Sequence, residues 1–355
     1  MSSYSILGLM SGTSMDGLDI AHVTFRLLEN KEWEYVVNHV ETYPYENKTL
    51  QQLKNGKNLS TTQILELDKH LGLLFANHIN AFIKQNNISK PTIKAIASHG
   101  HTIHHRPDIG FTQQIGCGDT ISYETGIKVI NDFRQKDVVA GGQGAPLVPI
   151  GDKLLFSKKA DAFLNIGGFA NICIPSEQTI AFDICPGNLP LNEVVNQLGL
   201  DFDNKGILSS KGDLNEDVLE QLNSLNFYKT ITSKSLGTEW LENVFTPIVN
   251  KIPSSENRLR TIIEHLSIQI AYVINNYEIK KLYITGGGAF NDFLISRIRA
   301  HTTSELVIPD TTTINYKEAI VFAFLGVRFL RGEINCLSSV TGASKDTIGG
   351  VLHYS

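Results

Sequence analysis

The sequence predicts an α/β protein built from two similar halves, and three observations carry that expectation. At 355 residues the chain is long enough for two domains rather than one. Short β-rich runs alternate with long amphipathic ones across short turns, the pattern of strands covered by helices. Three glycine-rich turns, near residues 12, 167 and 286, each emerge from an apolar run. No exact repeat is present, but the spacing suits two comparable halves closing around one ligand.

The elements follow in order. Residues 4–10 and 18–25 are rich in β-formers and enclose "SGTSMDG". In that turn Gly12 and Gly17 let another group approach the backbone. Successive N–H groups in such a turn can cradle an anion. A carboxylate there, Asp16, then asks for a cation, and Mg²⁺ is the usual partner of phosphates. The turn reads either as a nucleotide-phosphate site or as an ordinary hairpin whose Asp16 accepts turn hydrogen bonds. It lacks the Gly-Lys-Ser/Thr of a Walker A loop. Residues 34–43 are a further strand. Residues 59–87 are a long helix, with Ser60 as N-cap and Leu67, Leu71, Phe75, Ile79 and Phe82 at helical spacing.

Residues 93–98 are a short buried strand ending in "SHGHTIHH". His99, His101, His104 and His105 lie close together, and His-x-His can ligate zinc. No cysteine is near, and the nearest acidic residue along the chain is Asp108, which speaks against a metal there. The loop-rich residues 131–149 mark a domain boundary. "ADAFLNIGGFANICIP" is strand, Gly-Gly turn, strand, and residues 179–182 deliver Asp183 into "DICPGN". Residues 256–276 are an amphipathic helix. "KLYITGGGAFND" is strand, triple-glycine turn and helix start. Glu318 opens a late helix over residues 316–333, and the Gly-rich tail has weak strand character at its end. The expected domains are residues 1–132 with 338–355, and residues 133–337.

A net charge of −5 argues against a general nucleic-acid binder, which shows a basic face. No leader pattern and no apolar stretch of membrane-spanning length is present. The four cysteines are widely spaced without Cys-x-x-Cys, which speaks against a zinc site or disulfide framework and for the cytoplasm. A homodimer is the base-rate expectation.

Seven stretches, in order, resemble the anhydro-N-acetylmuramic acid kinase family: "GLMSGTSMDGLDIA", "SHGHTIHH", "DFRQKDVVAGGQGAPLVP", "LNIGGFANI", "DICPGN", "ITGGGAFN" and "KEAIVFAFLG". The resemblance spans nearly the full length. It implies the two-domain actin-like ATPase fold, built on the ribonuclease H-like motif, with nucleotide in the inter-domain cleft. It also implies transfer of the γ-phosphate of ATP, with Mg²⁺, to O6 of 1,6-anhydro-N-acetylmuramic acid. Water opens the anhydro bridge, in recycling of cell-wall sugars. Carried over by motif, Gly12, Thr13, Ser14, Met15, Asp16, Gly17, Leu18 and Asp19 hold ATP phosphates, with Asp16 near the metal. Gly167 and Gly168 form the second phosphate hairpin, and Gly286, Gly287 and Gly288 flank adenosine. Asp183 falls at the catalytic base, and His99, His101, Arg134 and Glu318 meet the sugar. In this reading Arg134 pairs with the lactyl carboxylate.

Two positions depart from the family. Asp-Thr-Gly-Pro becomes Asp183-Ile184-Cys185-Pro186, and a Gln after His-Gly becomes His101. Ile is stiffer than the residues it replaces and cannot adopt glycine's conformations, so the expectation is a changed backbone or pocket there. A kinase of a related sugar, or a non-catalytic ATP switch, are the competing readings.

Overall fold

The sheet that carries the first turn is built on hairpin pairing. In the computed structural model, which describes residues 2–12, 15, 17–230 and 234–355, β1 (Ser2–Ser11) runs antiparallel to β2 (Gly17–Leu27). β2 in turn runs antiparallel to β3 (Trp33–Pro44). The helix Thr61–Gln85 then carries the chain back to β4 (Ala95–Arg106), parallel to β1. β5 (Phe111–Ile115) folds onto the far half of β4, and β6 (Val129–Asn131) lies parallel to its near half.

A second sheet repeats the plan. β7 (Ala162–Ile166), β8 (Phe169–Ile174) and β9 (Ile180–Pro186) form an antiparallel meander. β10 (Lys281–Thr285) is parallel to β7, and β11 (Glu305–Val307) to β10. The order β9-β8-β7-β10-β11 matches β3-β2-β1-β4-β6. Three antiparallel strands with two parallel strands added beside the first make the ribonuclease H-like arrangement, present here twice. β12 (Val351–His353) returns to the first sheet, antiparallel to β6.

Each sheet is covered by a helix with the expected apolar stripe. Ser60 accepts the Gln63 N–H while the Gln63 side chain accepts the Ser60 N–H, a capping box that fixes where the first helix starts. Its Leu67, Leu71, Phe75, Ile79 and Phe82 pack with Leu7, Leu9 and Ile96 of the sheet. In the second unit Leu259, Ile262, Leu266 and Ile270 of the helix Ser255–Asn276 pack on Leu164, Ile166 and Ile172. Full burial of each such side chain stabilises by roughly 1.5–3 kcal/mol. Among the described residues, no helix is long and apolar enough to cross a membrane.

Several elements differ from expectation. The units are residues 1–155 with 316–355, and residues 156–315, so the boundaries move from 132/133 and 337/338. The reason is local bonding: in the 133–155 segment Arg134 bonds His99, and Asp137 bonds Cys336 and Thr341. β4 runs on through the histidines because β5 pairs with them. The late helix spans Thr311–Leu330, because Asp310 accepts the N–H and hydroxyl of Thr313, both at 2.9 Å, and so caps it earlier. Glu318 is therefore two turns inside the helix, not at its dipole end.

That helix lies on β1 at backbone distance. A Cβ on Gly8 would sit 2.0 Å from the Ala319 carbonyl oxygen and 2.9 Å from the Ala323 Cβ. A backbone oxygen cannot swing aside as a side chain can. Gly8→Ala is expected to destabilise the protein by about 1–3 kcal/mol, read as a lower denaturant midpoint at unchanged slope. An unmoved midpoint would show that helix and strand slide apart freely.

Candidate active site

In the first unit, three parallel strands end beside one another. Leu9 pairs with Ser98 and Ser11 with His101, while Ala97 pairs with Ile130. The turn after β1, the histidines of β4 and the segment after β6 thus share one end of the sheet. Of the first-turn residues, Thr13, Ser14 and Asp16 lie outside the described residues. Met15 donates its N–H to the Gly12 carbonyl at 3.2 Å. Gly17 and Leu18 open β2, and Asp19 sits opposite Met10 and accepts the Thr42 hydroxyl at 2.6 Å.

Ser11, the last residue of β1, accepts the Tyr45 hydroxyl at 2.7 Å. Its hydroxyl also lies 2.9 Å from Nδ1 of His101, a hydrogen bond between the two side chains. His101 is only 1% exposed, and burial lowers its pKa. This departure from the family is spent on bracing the end of β1.

His99 is also committed internally. Its Nδ1 donates to the Gly100 carbonyl at 2.8 Å, and its Nε2 accepts Nε–H of Arg134 at 2.9 Å. Burial and then the Arg134 charge hold its pKa well below the ordinary range. Arg134 also donates Nη1 to the Gly144 carbonyl at 2.8 Å. Among the described residues it makes no ion pair with Asp132 or Asp137, and Nη2 takes no partner. Its end-on fork is open to a carboxylate. Glu318 keeps open surface, yet the dense protein around it raises its carboxyl. The Arg134 and Lys317 charges oppose that rise and the Asp19 charge adds to it.

The remaining histidines go elsewhere: His105 Nδ1 bonds the Thr112 hydroxyl at 3.0 Å, and His104 meets the Phe111 ring edge. Among the described residues, no three His, Cys, Asp or Glu side chains converge to hold a metal.

The second unit gathers the other motifs. Gly167 and Gly168 close the β7–β8 hairpin, and their carbonyls accept the N–H groups of Asn188 and Gly187, both at 2.8 Å. Gly286 follows β10 at φ 83, where a Cβ would lie 2.6 Å from both Asn165 Oδ1 and the Ile166 carbonyl oxygen. Only glycine fits that left-handed, crowded position. The Gly-Gly hairpin, the Pro186-Gly187-Asn188 turn and the triple glycine are thereby packed together.

Asp183 lies inside β9, not past its end. Asn171 faces Asp183 while Ala170 faces Cys185, so Ile184 is the extra residue of a β-bulge. Bulges re-aim neighbouring side chains. Ile184 and Cys185 are 1% and 0% exposed and belong to the core. The departure from the family at these two positions is therefore absorbed inside the protein. The Asp183 carboxylate is held from a distant segment: Oδ2 accepts the Leu236 N–H at 2.8 Å and the Ser235 hydroxyl at 3.1 Å. Among the described residues Oδ1 takes no hydrogen bond. Burial raises this carboxyl, against the two hydrogen bonds that lower it. Ser235 and Leu236 carry no motif, and nothing local in the sequence points to them.

Two ribonuclease H-like units, each with a glycine turn after its first strand, define the class: an ATPase fold shared by actin and the sugar kinases. The particular family follows from direct comparison. A family model described as anhydro-N-acetylmuramic acid kinase matches residues 4–355. An anhydro-N-acetylmuramic acid kinase of Shewanella denitrificans is 37% identical, with 97% of this chain and 96% of that protein covered. The corresponding protein of Shewanella woodyi is 36% identical, with 99% of both covered. The chain belongs to the anhydro-N-acetylmuramic acid kinase family. Among solved structures, a Clostridium difficile activator of 2-hydroxyisocaproyl-CoA dehydratase with bound ADPNP aligns over 92% of this chain and 97% of that chain. Its identity is 12% and its TM-score 0.45.

Because folding raises the Asp183 carboxyl, the folded state binds its proton more tightly than the unfolded chain. Stability then falls as pH rises from about the ordinary value of 3.8 through the raised one. Asp183→Asn removes that loss and keeps a carbonyl for Leu236 and Ser235. The expected result is a higher Tm for the variant at neutral pH, with the gain shrinking toward pH 3.8. A lower Tm at neutral pH would mean that the carboxylate is stabilising.

Proposed function

We propose that the chain transfers the γ-phosphate of ATP to O6 of 1,6-anhydro-N-acetylmuramic acid while water opens the bridge. Family membership supports the reaction, and the half-held carboxylate of Asp183 is the observation that carries the mechanism. With Oδ2 fixed, Oδ1 takes a proton from the water whose oxygen attacks the anomeric carbon. The bond from that carbon to O6 breaks, O6 bonds the γ-phosphorus, and ADP leaves. The product is N-acetylmuramic acid 6-phosphate, with the proton on Asp183.

The remaining roles follow the same reading. Gly12 to Asp19 and Gly167–Gly168 cradle the phosphates, and Gly286, Gly287 and Gly288 flank the nucleoside. Phosphoryl transfer needs positioning and charge neutralisation above all, and backbone N–H groups supply both without reorganising. Arg134 receives the lactyl carboxylate on its open fork, with His99 behind it, and Glu318 faces the sugar's polar groups. His101 serves the site by bracing Ser11.

A hard cation with oxygen ligands suits the first turn. Asp16 lies outside the described residues, but Asp19 offers a carboxylate there. After burial, its charge is part of what raises Glu318, a repulsion that Mg²⁺ would relieve. When bound, the ion neutralises charge on the phosphates. We place the reaction in the cytoplasm, which suits four free cysteines.

ADP release with Mg²⁺-ATP should depend on 1,6-anhydro-N-acetylmuramic acid, and Asp183→Asn should lower kcat by about 10²–10⁴. Folded protein that binds ATP yet ignores this sugar would refute the substrate. Ser235→Ala removes a hydrogen bond that lowers the Asp183 carboxyl. The acid limb of its kcat/KM profile should move to higher pH, because the base works ionised. A limb that stays in place would remove Asp183 as the titrating group.

A further inference from the structure

We propose that Asp137 is a positioning residue that aims Arg134 at the sugar's carboxylate. The inference rests on the reading of Arg134 given above and assigns a role to a buried anion that the mechanism does not otherwise use. Asp137 is 0% exposed, on the short helix Gln135–Val139. Among the described residues it forms no ion pair. Instead its carboxylate is met by neutral donors from separate segments. Gly144 N–H donates to Oδ2 at 2.8 Å. The Thr341 hydroxyl and the Cys336 thiol donate to Oδ1 at 2.7 and 3.1 Å. A carboxylate shut away from water is costly unless each oxygen is bonded. Here both are, so the carboxylate works as a three-way joint between the loop after its helix and the C-terminal segment.

The joint ends on Arg134. Gly144 gives its N–H to Asp137 and its carbonyl to Arg134 Nη1, at 2.8 Å each. Backbone bonds fasten the same loop: Gly142 N–H to the Asp137 carbonyl at 2.9 Å, and Gln143 N–H to the Thr341 carbonyl at 2.8 Å. The guanidinium is thus held at two points, Nε by His99 and Nη1 by Gly144. A planar fork fixed along one side offers its end to a carboxylate in a single direction. Take away Asp137, and the Gly144 carbonyl that sets this direction is free to turn.

Asparagine is the informative change. Its Oδ1 still accepts from Thr341 and Cys336, but its Nδ2 faces the Gly144 N–H donor to donor and expels it. Thr341→Val is the milder change, removing one donor from the far oxygen. The test is calorimetric binding of 1,6-anhydro-N-acetylmuramic acid and of its uncharged lactyl amide. It is run on the full chain, on both variants and on Arg134→Ala, with KM for ATP measured beside it. The unmodified protein should prefer the acid. Arg134→Ala should abolish that preference. Asp137→Asn should reduce it by roughly tenfold, the cost of one misaligned charged hydrogen bond. Thr341→Val should reduce it less, and neither variant should move KM for ATP. Equal weakening of both ligands in folded Asp137→Asn would make the residue structural only and overturn the proposal. If that variant does not fold, an unchanged preference in Thr341→Val overturns it. A preference that survives Arg134→Ala would instead bring down the reading of Arg134 itself, and this proposal with it.

Discussion

Parallel pairing of each sheet's fourth strand with its first is the constraint on which the rest depends. β4 beside β1 and β10 beside β7 bring the carboxyl ends of separate chain segments to one edge of each sheet. Chain ends at such an edge leave N–H groups and side chains unpaired by the sheet, and this is where open α/β sheets bind ligands. The pairing tolerates no wedge. Gly8 lets the helix Thr311–Leu330 reach β1, and Gly286 lets the turn after β10 meet the end of β7. Both contacts are between backbones, so side-chain rearrangement cannot rescue a larger residue.

Two carboxylates show how one framework serves opposite ends. Asp137 is fully enclosed, with both oxygens bonded, and holds a loop to the C-terminal segment. Asp183 is half enclosed, with one oxygen bonded. Burial raises the Asp183 carboxyl while its two hydrogen bonds restrain the rise. Such a group costs the fold stability, a common trade at sites that do chemistry. The histidines divide in the same manner. His99 and His101 are committed, one to Arg134 and one to Ser11, and each braces a neighbour.

Much of this was legible locally. The long helix followed from its capping box and apolar stripe, because helical periodicity is a property of neighbours in sequence. The glycine turns were visible because closely approached backbones admit little else. The seven family stretches pointed to Arg134 and Asp183 as candidates. The run "SHGHTIHH", however, reads as a strand followed by a loop, and only pairing with β5 turns it into strand throughout. Glu318 looked like a helix opener until Asp310, eight residues earlier, proved to be the cap.

What the sequence by itself determined was the long helices, the strands around the glycine turns, the order of the motifs and the family. These depend on local propensity and on short patterns of residue types. What only the tertiary structure decided was which atoms are free and which are spent. Ser235 lies 52 residues from Asp183, and Thr341 lies 204 from Asp137. Ile184 and Cys185, which looked like alterations to the pocket, are in the core because a bulge turns the strand at that point. Hydrogen-bond satisfaction and burial are set by segments distant along the chain, and no local pattern of residues encodes them.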